Sequence, residues 1–193
     1  ASSIREVLFT AGGSGWLIAH DGVFRLTPLE QGNAHCEFLS NSEYGQPRSA
    51  AVSGETVLIV TQRHVWQITA ENGLEIVNRW RNQSGQFRTV VSAPDGAFWL
   101  AADRVLIRYD GTEWLEFPLP TQTFAGEVRD LAVDDNLTLW LATSAGLGFY
   151  DGRWQRFTTA DGLPSNDVRE VVLTPDGHLW VATGGGVGRF DPN

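Results

Sequence analysis

The chain has 193 residues, among them 21 Gly, eight Trp, one Cys and no Met, with a formal charge of −9. At that length a domain buries roughly 70% of its unfolded surface, so no staple is required, and the lone Cys36 supplies neither an internal disulfide nor a zinc knuckle. Acidic balance with every basic residue an Arg argues against wrapping nucleic acid, and no run of 18 apolar residues is present to span a bilayer. Lacking both Met and a charged-then-apolar leader, the chain reads as a piece of a longer protein.

In chain order, an apolar strand over residues 4–9 is followed by GWLIAHDGVFRL from Gly15. A second group enters at Arg48 and continues as TVLIVTQRHVWQI from Thr56. The third enters at Arg88, reads AFWLAADRVLIRYDG from Ala97, and adds a run at 114–117 after Asp110-Gly111. The fourth enters at Val128, reads TLWLATSAGLGFYDG from Thr138, and adds a run at 154–157 after Asp151-Gly152. The fifth places strands at 168–173, 178–182 and 187–190 and stops at Asn193 without a fourth. Asp-Gly and Gly-rich turns suit hairpins because Gly tolerates positive φ, and no window sustains a helical period.

The anchors Trp16, Leu58, Trp99, Trp140 and Trp180 stand 42, 41, 41 and 40 residues apart. Four short antiparallel strands per repeat of that length is the signature of a propeller blade; sandwich strands have no reason to repeat in fours. The expected fold is an all-β propeller of about five four-stranded blades, near 3–40, 47–80, 87–118, 127–158 and 167–193, the last lacking its outer strand. Five blades either close as a small ring, the favoured reading, or form an arc of a larger propeller whose open faces invite self-association.

The segment from Asn166 to Asp191, NDVREVVLTPDGHLWVATGGGVGRFD, resembles the two-component regulator propeller repeat. Residues 128–151 match it almost as well, copies one and three match in part, and copy two departs most. The stretch DGLPSND from Asp161 resembles that family's connector between blades. The resemblance implies a periplasmic or extracellular sensor module of a bacterial signalling protein that receives an oligosaccharide or another ligand and carries out no chemistry.

Arg recurs at the start of each inner strand: Arg5, Arg48, Arg88, Arg129 and Arg169. One reading is a ring of guanidinium groups at a channel mouth, able to attract an anionic small ligand. The other is inter-blade pairing with acids such as Glu6, Asp130 and Glu170; because adjacent side chains face opposite sides of a strand, such a partner belongs to the next blade. The repeated Trp residues, with Trp114 and Trp154, read as packing. Loops that break the repeat are better recognition candidates: 41–46 with Tyr44, 83–86, and 121–127 with Phe124, whose rings beside Asn and Gln suit a sugar, together with His20, Arg63 and His64.

His20, His35, His64 and His178 lack zinc-site spacing, Cys36 reads as a small outer-strand hydrophobe, and Asp134-Asp135-Asn136 reads as a turn more readily than a calcium loop. No catalytic set, metal site or cofactor is expected. The function expected is a non-catalytic ligand- or partner-binding propeller, taking an oligosaccharide or anionic small ligand, with self-association through open blade edges, no nucleic acid and no membrane span. A glycan- or small-molecule-acting propeller enzyme and a structural, self-assembling or engineered fragment are the alternatives.

Overall fold

A computed structural model describes residues 3–28, 34–40, 45–69, 73–77, 86–121, 124 and 126–190. Five antiparallel sheets follow one another along the chain. The first holds β1 (Ile4–Phe9), β2 (Gly15–Ala19), β3 (Gly22–Pro28) and β4 (Ala34–Ser40). The second holds β5 (Ser49–Ser53), β6 (Thr56–Val60), β7 (Val65–Thr69) and β8 (Gly73–Ile76). The third holds β9 (Phe87–Ser92), β10 (Phe98–Ala102), β11 (Val105–Tyr109) and β12 (Trp114–Pro118). The fourth holds β13 (Val128–Val133), β14 (Leu139–Thr143), β15 (Gly146–Tyr150) and β16 (Trp154–Phe157). The fifth holds β17 (Val168–Leu173), β18 (Leu179–Thr183) and β19 (Gly186–Phe190), and among the described residues it has no fourth strand. These are the blades expected from the repeat, each meandering in sequence order. The residues group into two units, Ala1–Val90 and Val91–Asn193, each described by itself.

Local chemistry closes each hairpin. Thr143 Oγ1 donates to the Gly146 carbonyl at 2.6 Å and accepts from the Ala145 N–H at 3.2 Å. Thr183 does the same one repeat later, with the Gly186 carbonyl and Gly185 N–H. Gly146 follows at φ 132°, and a Cβ there would lie 2.4 Å from the Phe157 carbonyl oxygen, so the close approach of β16 requires glycine. At the other end of the blade, Asp134 Oδ1 accepts from the N–H groups of Asn136 and Thr138, an Asx turn that uses this carboxylate structurally.

Packing between blades follows one rule in both units. In unit 1, Trp16, Ile18 and Val23 of the first blade pack on Ala50, Val57, Ile59, Trp66 and Ile68 of the second. In unit 2, Trp99, Ala101 and Leu106 pack on Val128, Leu131, Leu139 and Leu141; Trp140, Ala142 and Leu147 then pack on Val168, Val171, Leu179 and Val181. The Trp face of one blade therefore lies on the opposite face of the next. The second strand of a blade covered on both sides should be buried throughout, whereas one covered on a single side should alternate. All of β14 is buried, while β18 alternates, with Leu179 and Val181 buried and Trp180 exposed.

Candidate functional site

The inner strands carry a repeated polar latch. Register shifts fall between Ile4 and Glu6, Val128 and Asp130, and Val168 and Glu170, so Arg5, Arg129 and Arg169 are bulge residues. A bulge sets two residues against one and re-aims their side chains. Arg129 and Asp130 accordingly both reach the fifth blade, rather than opposite sides as strict alternation predicts. Arg129 Nη1 pairs with Asp167 Oδ1 at 2.5 Å and donates to the Val168 carbonyl at 3.4 Å. Asp130 Oδ2 accepts from the Val171 N–H at 3.1 Å.

Unit 1 repeats the device. Arg48 Nη1 donates to the Phe87 carbonyl at 3.1 Å, and Ser49 Oγ accepts from the Val90 N–H at 3.3 Å, Phe87 and Val90 matching Val168 and Val171 in the repeat. One blade earlier, Glu6 Oε2 accepts from the Ala50 N–H at 3.1 Å. Burial pushes the Asp130 carboxyl above the ordinary carboxylate range, against the opposing Val171 and Leu131 N–H groups, with the Glu170 charge adding to the rise. The Arg129 and Arg169 guanidinium groups hold Asp167 below that range.

Of the residues proposed for an anion site, Arg48 and Arg129 are engaged between blades. Arg169 is exposed, with Nε donating to Asp167 Oδ2 at 3.1 Å; Arg5 is exposed and Arg88 half-buried. Phe124 is no loop aromatic open to a ligand. It is 2% exposed, meets the Trp154 ring edge-on at 5.4 Å, and belongs to the cluster of Leu119, Val128, Leu139 and Leu141. It fits there because β15 offers Gly148: a Cβ at that position would come within 2.4 Å of Phe124 Cε1. Tyr44 lies outside the described residues. Cys36 is exposed on β4 rather than packed.

The structure opens a different candidate site. A groove of about 800 Å³ runs between the fourth and fifth blades, at the end of β13 and β17 opposite Arg129 and Arg169. Its walls include Asp134, Asp135 and Asp151 from two turns of the fourth blade, Thr174 and Gly177 from the fifth, and the rings of Trp140, Phe149, Phe157 and Phe190. These rings form a ladder: Trp140–Phe149 at 5.2 Å, Phe149–Phe157 at 5.6 Å and Phe157–Phe190 at 4.9 Å between centroids. Trp140 Nε1 donates to Asp134 Oδ2 at 3.3 Å, and Asp151 Oδ1 accepts from the Arg153 N–H at 3.2 Å. Asp135 is exposed at the groove. Among the described residues, no cluster of His, Cys, Asp and Glu suits a metal ion.

The signal that could have found this groove is a departure from the repeat. Cross-strand register pairs Trp16 with Arg25, Trp99 with Arg108 and Trp180 with Arg189, but Trp140 with Phe149. In unit 1 the guanidinium of Arg25 lies 5.9 Å from the Trp16 ring, and the corresponding cleft, also walled by Glu55, is about 180 Å³. With Phe149 in place of that cation, the described residues that wall the groove bring rings and carboxylates together without a guanidinium.

Comparison with known proteins places this geometry. Residues 162–185 match the model of the two component regulator propeller. No curated protein matches the chain at a significant level. Among solved structures, the extracellular domain of a hybrid two component system from B. thetaiotaomicron aligns with TM-score 0.77 and 17% identity, over all of this chain and 28% of its own. Virginiamycin B lyase from Staphylococcus aureus aligns with TM-score 0.76 and 16% identity, over 98% of this chain and 67% of its own. YCF48 from Cyanidioschyzon merolae aligns with TM-score 0.71 and 13% identity, over 100% and 67%. At such identities the likeness is one of fold, shared by the two component system's extracellular domain and the lyase alike, and this chain spans little more than a quarter of the former. The chain thus has the β-propeller fold, and within it residues 162–185 match the two component regulator propeller repeat.

Proposed function

We propose that the chain is a non-catalytic binding module of an extracytoplasmic sensor-type propeller, and that the groove between its fourth and fifth blades receives an uncharged or amine-bearing oligosaccharide. The observation that carries this reading is the groove itself, where a ladder of four rings lies beside the Asp135 and Asp151 carboxylates. The half-buried rings of Phe149, Phe157 and Phe190 offer apolar surface to sugar C–H groups, and carboxylates accept hydroxyl hydrogen bonds of the strong charge-assisted kind. The same carboxylates disfavour an anion, and two of the five Arg residues first considered for one are engaged between blades. The extracytoplasmic setting rests on the repeat matched at 162–185 and on the fold shared with an extracellular sensor domain. Among the described residues, no helix is long and apolar enough to cross a membrane.

Titration calorimetry with neutral, amino and acidic oligosaccharides tests the proposal. Binding of the first two classes, weakened at least tenfold by Asp135→Ala or Phe149→Arg, is expected, with the sugar recovered unchanged. Preference for acidic sugars, or affinities untouched by both substitutions, overturns it.

A further inference from the structure

We propose that the cleft between the first and second blades binds a small zwitterion with an apolar substituent, of the free α-amino-acid class. The cleft has a volume of about 180 Å³, room for one small molecule, and lies wholly within unit 1. Its walls include Thr10, Trp16, Arg25, Glu55, Ile68 and Leu74. It arises where the first blade departs from the repeat. In the third blade Arg108 Nη2 pairs with Asp95 Oδ2 at 2.7 Å, which neutralises the cation within its own blade. Arg25 holds the position of Arg108, each opposite the repeated Trp. The turns after β1 and β9 share their bonds: the Thr10 N–H donates to the Ser14 carbonyl at 2.9 Å, and the Ala93 N–H to the Ala97 carbonyl at 2.8 Å. Gly12 therefore stands where the third blade has Asp95. A Cβ on Gly12 would lie 2.9 Å from Glu55 Oε1, so glycine admits Glu55 from the second blade, and Oε1 accepts the Gly12 N–H. Among the described residues Arg25 makes no ion pair, with Glu55 or any other acid, and its guanidinium lies 5.9 Å from the Trp16 ring. An ion pair closed within one blade is thus replaced by a cation and a carboxylate that wall one cleft unpaired.

A second departure leaves a donor unanswered. Trp140 Nε1 donates to Asp134 Oδ2, whereas Thr10 holds the position of Asp134 in the first blade. Trp16 is 6% exposed, and its Nε1 is buried without a hydrogen-bond partner among the described residues. A buried donor without an acceptor is costly, and an acceptor is what this corner of the cleft lacks. A carboxylate answers both departures. The planar fork of Arg25 takes two oxygens at once, and the Thr10 hydroxyl, which accepts the Ser14 N–H at 3.2 Å, keeps its own hydrogen to donate. A simple anion would meet the charge of Glu55; an ammonium on the same molecule turns that repulsion into a charge-assisted hydrogen bond. The Trp16 ring, buried Ile68 and half-buried Leu74 supply apolar surface for the substituent. The cleft shares no residue with the groove in unit 2, so this site stands independently of the oligosaccharide reading.

The test is titration calorimetry of the full chain with leucine, leucinamide and N-acetyl-leucine. Leucine is expected to bind, and the two blocked forms, each lacking one of its charges, at least tenfold more weakly. Arg25→Gln and Glu55→Gln should each weaken leucine at least tenfold; the latter keeps an acceptor for the Gly12 N–H. Both substitutions fall on exposed positions, and circular dichroism verifies their folding. Phe149→Arg should leave leucine binding unchanged and Arg25→Gln should leave oligosaccharide binding unchanged, so failure of one site is distinguishable from failure of the other. No binding of leucine at millimolar concentration, a blocked form that binds as well as leucine, or a leucine affinity that survives either Gln substitution or follows Phe149→Arg overturns the proposal.

Discussion

Replacing Phe124 by Ala should destabilise the second unit by about 4 kcal/mol. A buried Phe removes ~150–250 Å² from water, or about 4–6 kcal/mol at 25 cal/mol/Å², and compact denatured chains lower that figure. Measured Phe→Ala costs in cores run about 3–5 kcal/mol because the site collapses only partly. Here the ring sits between Trp154 and Gly148, and a Cβ on Gly148 would fall 2.4 Å from Cε1 and 2.9 Å from Cζ. Gly148→Ala alone should therefore cost about 1–3 kcal/mol by overpacking. In the Phe124→Ala background the methyl enters vacated space, so the two losses should fall short of their sum by about 1–2 kcal/mol. Urea unfolding followed by Trp fluorescence, with circular dichroism as a second probe, reads all four corners of this cycle. A Phe124→Ala loss below about 1 kcal/mol, or additive losses, would refute the placement of Phe124 in the core.

The Trp140 and Trp180 faces of the second unit should respond differently to truncation. Leu147→Ala, fully buried against the fifth blade, should cost about 2–4 kcal/mol, and Val187→Ala less than about 0.5 kcal/mol in dilute solution. Equal losses in chemical denaturation would contradict the inter-blade packing rule. For Asp130, whose folded carboxyl titrates above its unfolded value, the group adds stability at pH below the unfolded pKa and loses it as pH rises through the folded pKa. Asp130→Asn, which keeps an acceptor for the Val171 N–H, should flatten that limb of the pH–stability curve; an unchanged limb would show that Asp130 is not the titrating group. Asp110 shows the opposite sign. Its carboxyl, lowered to about 2 by the Glu113 and Thr112 N–H groups and the Thr112 hydroxyl, adds stability above the ordinary carboxylate pKa and loses it as pH falls toward 2. Asp110→Ala should remove that acid-limb contribution and speed amide exchange in the β11–β12 turn, and protection equal to the unsubstituted chain would count against the cap.

The blades were legible because packing demands a large apolar residue at the same place in every copy. Trp16, Trp99 and Trp140 recur at 40–42-residue multiples of the repeat and prove buried, as periodicity alone suggested. Three features were not legible. Strand alternation sent Arg129 and Asp130 to opposite faces, whereas a bulge brings both to one neighbour, and a bulge has no signature in Val-Arg-Asp. Phe124 looked like a loop aromatic because its partner is an absence, the missing side chain of Gly148 in another strand. The groove was written in the sequence as Phe149 among Arg25, Arg108 and Arg189, but which residue faces Trp140 depends on cross-strand register.

By itself, then, the sequence determined the repeat, its strands, the resemblance carried by its final copy, and the core role of most Trp residues, all of which follow from local spacing and side-chain volume. Only the tertiary structure decided which polar groups are engaged between blades, where rings and carboxylates open into a groove, and that Trp180, identical in its repeat to three buried residues, remains exposed. The physical reason is that burial is a property of what lies opposite a residue. A period of about 41 residues repeats the Trp in four of five copies, but it does not place a neighbour beside each of them.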